Sequence, residues 1–418
     1  MVEVAVDGLW SEGEVRGATL LRFAPDGALE RHPAPAGTPA AARSARGLFA
    51  LPGFVDAHVH LELSSMHGET LPHGSFSEWV AALVARQRSL GPDERAAAVR
   101  SGADELLSRG CVAIGDIDSH GETLAALSGS PLEGVVHREW LGAPSAERLA
   151  ECERTLDEQQ RALASLRIPP RRRAGLSPHA PYTTSPELYA TLFDWVRRYA
   201  VPVASHVAES PEELLLLAEQ RGPLAEFFGR IGFAPPRWPD ARAGPLLALD
   251  ALSPPPGFTV IHGNQLTPAE IARCAARRWP VVHCPRSHAY FGYSRNPARE
   301  LLAAGVTVAL GTDSRASNFG LDLHAELATW RARDPSLSDQ QLLVAATAAG
   351  RCALGLPRAE LRAGDAATFQ LVRGRDGPLR TPDELLPAVV RGGTETVAVW
   401  IRGQLAWSME RGAIPPSS

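Results

Sequence analysis

Lysine is absent from the chain: all 42 basic side chains among its 418 residues are arginines. That absence excludes a Walker-type phosphate loop, a lysine Schiff base and a lysine-carbamate bridge between two metals. Cysteine is scarce and scattered: Cys111, Cys152, Cys274, Cys284 and Cys352 include no C-x-x-C pair. An odd number without paired spacing argues for reduced thiols in the cytoplasm rather than a disulfide frame. No apolar stretch approaches the length of a membrane span, and Met1 to Asp7 lack the basic head and apolar core of a signal peptide. A net charge of −5 leaves no basic footprint for nucleic acid. Arg171-Arg172-Arg173 is the only basic cluster, and it reads as the solvated end of a helix. The expected partner is therefore a small molecule, with no nucleic acid and no membrane. The sequence does not fix an oligomeric state and leaves a homodimer open.

From about residue 50 to 315 one unit repeats: a short apolar strand ending in polar residues, then a helical stretch. The strand segments are 55–60, 111–118, 135–140, 174–181, 203–209, 258–264, 281–288 and 306–314; helices are expected at 78–88, 95–109, 146–166 and 185–199, with another opening at Pro211. Near-continuous apolar strands alternating with helices imply a parallel sheet covered by helices. Eight units favour an α/β fold of the closed (β/α)8 TIM-like barrel type. A doubly wound sheet is the runner-up, but no G-x-G-x-x-G follows any strand. Residues 1–48 and 359–418 read as short strands, with turns at Asp7-Gly8, Asp26-Gly27 and Gly403, and are expected to pair into one small β-sandwich domain. Residues 49–358 then form the catalytic barrel. The stretch 235–256 reads as a loop insertion, and Pro415 to Ser418 as a frayed tail.

In such a barrel the chemistry sits at the C-terminal ends of the strands, where the loops converge. Strand one offers His58 and His60, which project from the same side of the strand and can seize one cation together. Strand four offers His179, strand five His206 and Glu209, strand six His262, strand seven His283 and strand eight Asp313. Singly, each histidine reads as well as a satisfied core residue, and Asp313 as a helix cap. Jointly, one histidine or acid on each of several strand ends points to a metal site. Neither H-x-E followed by P-C-x-x-C nor H-E-x-x-H is present in full, which sets aside two other zinc-enzyme patterns.

The phrases Pro52-Gly53-Phe54-Val55-Asp56-Ala57-His58-Val59-His60, Ser177-Pro178-His179-Ala180-Pro181-Tyr182, His206-Val207-Ala208-Glu209, Val282-His283-Cys284-Pro285 and Gly311-Thr312-Asp313-Ser314 resemble the amidohydrolase superfamily. They look most like its branch of mononuclear-metal deaminases and chlorohydrolases. The resemblance implies that His58, His60, His206 and Asp313 hold one divalent ion, zinc first and iron second. It also implies that a small β domain is built from both chain ends. Without a lysine to bridge two metals, one metal is the expectation. A cation so held activates water for attack on an electron-poor carbon bearing an amino group. On that scheme Glu209 donates a proton to the neighbouring ring nitrogen, Asp313 relays the water's proton to the leaving amine, and His262 orients the nucleophile. His179 resembles the family's substrate-contacting histidine, and His283 is expected to support Asp313 or touch a substrate oxygen.

Within the branch, His60-Leu61-Glu62-Leu63-Ser64, His206 to Ser210 and His283-Cys284-Pro285-Arg286-Ser287 are most similar to the aminodeoxyfutalosine deaminases. Those enzymes remove the 6-amino group of an adenine nucleoside carrying a benzoate, on a menaquinone pathway. Arg286, Arg315 and Arg138 lie at or beyond strand ends and are candidate carboxylate grips, or else pair with acids on the rim. Competing readings are deamination of S-adenosylhomocysteine, methylthioadenosine, guanine or cytosine, hydrolysis of a formimino group or chlorotriazine, and a metal-free barrel serving as a binding module.

Overall fold

Gly53 divides the apolar run that leads to His58 into two strands with different destinations. A Cβ at this position would lie 2.1 Å from a Val112 methyl, so only glycine lets the chain turn this close to the neighbouring strand. The computed structural model describes residues 1–25, 27–33, 47–66, 75–164 and 172–409. Asp26, Arg171, residues 165–166 of the expected fourth helix and the tail at Pro415 to Ser418 lie outside the described residues.

Before Gly53 the chain forms β1 (Val2–Val6), β2 (Gly8–Ser11), β3 (Glu14–Arg16), β4 (Thr19–Phe23), β5 (Glu30–Pro33) and β6 (Phe49–Pro52). After it come the barrel strands β7 (Phe54–Val59), β8 (Cys111–Asp118), β9 (Glu133–Trp140), β10 (Arg172–Pro178), β11 (Ala204–Val207), β12 (Thr259–His262), β13 (Val281–His283) and β14 (Val308–Leu310). The chain closes with β15 (Phe369–Gly374), β16 (Thr394–Ile401) and β17 (Gln404–Ser408).

Strands β7 to β10 form one parallel arc and β11 to β14 a second, each in chain order. Parallel bridges join the arcs at both seams, Leu176 to Val203 and Val59 to Asp313, so the eight strands run round a ring. Every residue of β7 and β8 is buried, as expected of strands covered on both faces. Helices Phe76–Gln87, Pro92–Ser108, Ala146–Ala164, Pro186–Tyr199 and Pro211–Glu219 fall where the periodicity predicts them. Their boundaries follow local chemistry. Ser185 caps the amide of Leu188, Pro186 occupies the first turn, and Ala200 ends that helix in the left-handed region. Stretch 235–256 is more ordered than a plain loop: it contains the helix Pro245–Asp250, whose Leu246 amide donates to Glu270 at 2.9 Å.

The chain ends form two sheets, β1-β4-β5 and β17-β16-β15-β6-β2-β3. A separate core fills the space between them, including Val4, Leu21, Phe23, Phe369 and Trp400. The Phe369 and Trp400 rings stack there at 4.9 Å. Phe49–Pro52, read from sequence as part of the barrel, instead pairs with β15 in the terminal sheet.

Arg172 departs from its expected solvated role. It is buried at the start of β10 and donates to the carbonyl oxygens of Leu132 at 2.9 Å, Leu127 at 2.5 Å and Ser130. Its neighbour Arg173 faces solvent. The five cysteines are free thiols, four of them buried and Cys352 exposed. Among the described residues no helix is long and apolar enough to cross a membrane.

Candidate active site at the barrel mouth

The C-terminal ends of β7, β11, β12 and β14 bring five side chains to one point. His58 Nε2 lies 3.5 Å and His60 Nε2 3.7 Å from Asp313 Oδ1. His206 Nε2 lies 3.4 Å from His60 Nε2, and its Nδ1 donates to the His179 carbonyl at 3.1 Å. That second bond fixes the tautomer that leaves the Nε2 lone pair facing inward. His262 completes the ring, 5.3 Å from His58 between centroids. Ala208, His262 and Asp313 all sit at positive φ, 55°, 66° and 61°. Such backbone is costly for residues other than glycine and clusters where side chains must be aimed.

His58 supplies the test of whether a metal belongs here. Both of its ring nitrogens are buried without a hydrogen-bond partner. Orphaned buried nitrogens are rare in folded proteins, and a cation held with Asp313 would satisfy the Nε2 that faces it. Donor atoms of His58, His60 and His206, and of His58, His262 and Asp313, lie within 4.8 Å of one another. Imidazoles with one carboxylate suit a borderline-soft ion such as zinc. The residues present therefore fit the group.

Electrostatics agree with this donor set. Burial pushes His58, His206 and His262 below the usual histidine range, His262 to about 3, so their lone pairs are free at neutral pH. Burial alone would raise Asp313, but the approach of the His58 ring and the nearby His262 and His60 rings hold it below the usual carboxylate range. The hydroxyls of Ser287 and Ser317 donate to Asp313 Oδ2 at 2.6 and 2.8 Å and orient it. Glu209 is the opposite case. Burial, then the Asp313 and Glu213 carboxylates, push it well above the ordinary value, which favours its protonated form. It lies 3.6 Å from His262 Nε2.

These groups open into a cavity of about 380 Å³ lined also by His179. The three arginines expected at the substrate line no part of it. Arg286 donates to the Gly320 carbonyl, Arg315 to the Ser64 carbonyl and Glu105, and Arg138 to the Asp118 carbonyl while lying over the Trp140 ring. Each is held by a carbonyl oxygen on the rim, and Arg315 also pairs with an acid there, Glu105, as the alternative reading expects. His283 points away as well: its Nε2 meets Asn296 at 3.3 Å and its ring packs on Trp330, while the serine hydroxyls support Asp313. Sequence reasoning missed Glu139, at the end of β9, which lines the cavity, accepts from Ser119 at 2.7 Å and lies 4.0 Å from His179. Its position on a strand end was the available signal. The aromatic walls, among them Phe76, Trp79, Tyr182 and Phe228, carried no local signal because they come from helices and loops far apart in sequence.

A parallel eight-stranded barrel with histidines and an aspartate converging on its C-terminal mouth defines a metal-binding hydrolase. The chain belongs to the amidohydrolase family, which it matches over residues 49–406, and is a hydrolase acting on C–N bonds. It is 33% identical over 346 residues to an aminodeoxyfutalosine deaminase of Deinococcus radiodurans, covering 78% of each chain. The fold is similar to that of the Helicobacter pylori aminofutalosine deaminase in complex with methylthio-coformycin, with a TM-score of 0.80, 19% identity and coverage of 97% of this chain and 100% of the other. It is also similar to a Xanthomonas campestris adenosine deaminase with bound zinc, at a TM-score of 0.77 and 23% identity, covering 96% and 92%.

Proposed function

We propose that the protein is a hydrolytic deaminase of adenine nucleosides, with aminodeoxyfutalosine as its substrate and ammonia as a product. The observation that carries the reading is Glu209: a buried carboxyl set 3.6 Å from His262 in an aromatic-walled cavity and next to a cluster of metal donors. His58, His60, His206 and Asp313 would hold one divalent ion, zinc before iron. When bound, that ion supplies a Lewis acid that lowers the pKa of water toward neutrality. Glu209 donates its proton to the ring nitrogen next to the carbon bearing the amine, which makes that carbon a better electrophile. Asp313, held by two serine hydroxyls, takes one proton of the attacking water and passes it to the departing amine, while the proton left on the new hydroxyl returns to Glu209 as the carbonyl forms. His262 orients the water, and the aromatic walls accept the purine ring and exclude bulk solvent. His179, aimed by a 2.6 Å contact between its Nδ1 and Thr183, meets the substrate from the wall. The name of the relative from Deinococcus radiodurans supports the choice of nucleoside.

The test is ammonia release from the metal-loaded protein against a panel of adenine nucleosides, guanine, cytosine and formiminoglutamate. Fastest turnover is expected on aminodeoxyfutalosine. Rapid turnover of guanine or cytosine with inert nucleosides would overturn the assignment. Glu209→Gln should keep its metal and lose most turnover; near-normal rates would remove Glu209 from the reaction.

A further inference from the structure

On the face of the barrel opposite the catalytic mouth lies a second cavity, of about 470 Å³. It sits beneath the N-terminal ends of β10 to β14. Arg173 is the second residue of β10, Pro202 and Gly257 stand two residues before β11 and β12, and Pro280 and Thr307 immediately precede β13 and β14. At about 3.3 Å per residue, Arg173 is roughly 20 Å along β10 from His179 at the other end. The guanidinium groups of Arg173, Arg197 and Arg278 line the cavity, and among the described residues no aspartate or glutamate does. In a chain whose net charge is −5, this is a local reversal of sign. The bland account of such arginines is that they neutralise helix C-termini or pair with nearby acids. Arg173 and Arg197 fit it. Arg173 donates to the Ala200 carbonyl at 3.3 Å, where helix Pro186–Tyr199 ends, while Arg197 pairs with Asp194 at 2.7 Å and donates to the Ser253 carbonyl. Arg278 does not. Its neighbours Arg273 and Arg277 both pair with Asp250, at 3.2 and 2.9 Å, whereas the Arg278 side chain has neither an acid nor a carbonyl partner among the described residues. It occupies the left-handed position that ends helix Pro268–Arg277, at φ 55°, where glycine is the usual occupant.

Between the guanidinium groups the walls are apolar, with Val196, Val201, Pro255 and Leu354 beside the prolines already named. The neutral polar side chains there are limited to Thr307 and Cys352. A sugar phosphate would find few partners for its hydroxyls on such walls, whereas a hydrocarbon body bearing a carboxylate finds both surfaces it needs. A guanidinium offers more N–H donors than Arg173 and Arg197 spend on the contacts above, and Arg278 has all of its own to give. We propose that this cavity is a binding site for a small organic carboxylate with a compact apolar body, gripped by Arg278 together with Arg173 and Arg197 and packed on the proline, valine and leucine walls. The site is separate from the catalytic mouth and does not rest on the deaminase reading.

Cys352 reports on the site directly, because it lines the cavity and is exposed while the other four cysteines are buried. Alkylation of the metal-loaded protein by iodoacetate, an anion, and by iodoacetamide, its neutral counterpart, is followed at Cys352 by peptide mass spectrometry. At low salt the iodoacetate-to-iodoacetamide rate ratio should exceed that of the urea-unfolded chain about 10-fold. Salt at about 0.5 M should erase most of that excess. Arg197→Gln/Arg278→Gln should bring the ratio close to the unfolded value, while Arg278→Lys keeps the charge and should retain it. In the wild type, cyclohexanecarboxylate should protect Cys352 from iodoacetamide, and the amide of the same shape, cyclohexanecarboxamide, should not. A wild-type ratio equal to that of the unfolded chain, an unaltered ratio in the double variant, equal protection by acid and amide, or protection by neither would each overturn the site. Stronger protection by glucose 6-phosphate than by cyclohexanecarboxylate would overturn the assignment of an apolar carboxylate as its ligand.

Discussion

The Glu213 carboxylate accepts the backbone amide of Glu209 at 2.7 Å, and its second oxygen accepts that of Ala208 at 2.9 Å. One buried side chain thus pins the strand-five turn that carries the proton-donor candidate. Ala208 is held there at a positive φ that alanine does not favour. Glu213→Ala leaves two buried amides unpaired. It should lower stability by about 2–4 kcal/mol and cut kcat by more than KM changes, with bound metal retained. Denaturant melts and steady-state kinetics check this; unchanged kcat would show that the turn holds its shape without Glu213.

Ser287 and Ser317 both donate to the same oxygen of Asp313, leaving Oδ1 toward His58 and His60. Removing both hydroxyls, Ser287→Ala with Ser317→Ala, should weaken metal affinity by about 10–100-fold. Competition with a chelator measures it. Either single variant should lie between wild type and the pair.

Arg172 and Arg173 are adjacent in sequence and opposite in consequence. Arg172→Ala strands three carbonyl oxygens beneath β10 and should cost about 2–5 kcal/mol. Arg173→Ala, at a solvent-facing position, should change stability by less than about 0.5 kcal/mol. Parallel chemical denaturation of the two variants separates them.

Glu326 gives a pH signature. Burial pushes its carboxyl up to about 8, against the opposing effects of Arg286 and the Asn318 amide. A carboxyl whose pKa is raised by folding stabilises the fold fully below its ordinary value near 4.5. Between there and about 8 the unfolded chain has lost the proton that the folded one keeps, so stability falls, by at most about 1.4 kcal/mol per pH unit, and the contribution is gone above that range. Glu326→Gln removes this slope. Melts of metal-free wild type and variant at pH 5.5 and 8.5 should show the wild type losing more stability on the alkaline side; parallel losses would contradict the shifted carboxyl.

Much of the barrel was legible because its signals are local. Eight apolar segments with polar ends recur in order, and His58, His60, His206, His262 and Asp313 each close such a segment; the structure draws them to one point. What escaped was decided across the chain. Arg172 looks like part of a solvated basic run until Leu127, Ser130 and Leu132 are folded beneath it. Arg138, Arg286 and Arg315 sit at strand ends as a substrate grip would, yet carbonyl oxygens on the rim engage them first. Phe49 to Pro52 is as apolar as the barrel strand that follows, and only its partners β15 and β2 assign it elsewhere. Hydrophobicity marks a strand as buried without saying in which sheet.

That last pairing bears on how the protein is made. β6 has β2 on one edge from the outset, but its other edge faces β15, from the opposite end of the chain. On the ribosome the whole barrel is synthesised before that edge finds its partner, which leaves Phe49, Ala50 and Leu51 on an open strand for most of translation. An unpaired apolar edge is a template for association with other chains. Nascent or C-terminally truncated forms should therefore depend on chaperones, and aggregate through this strand while their barrels are already folded.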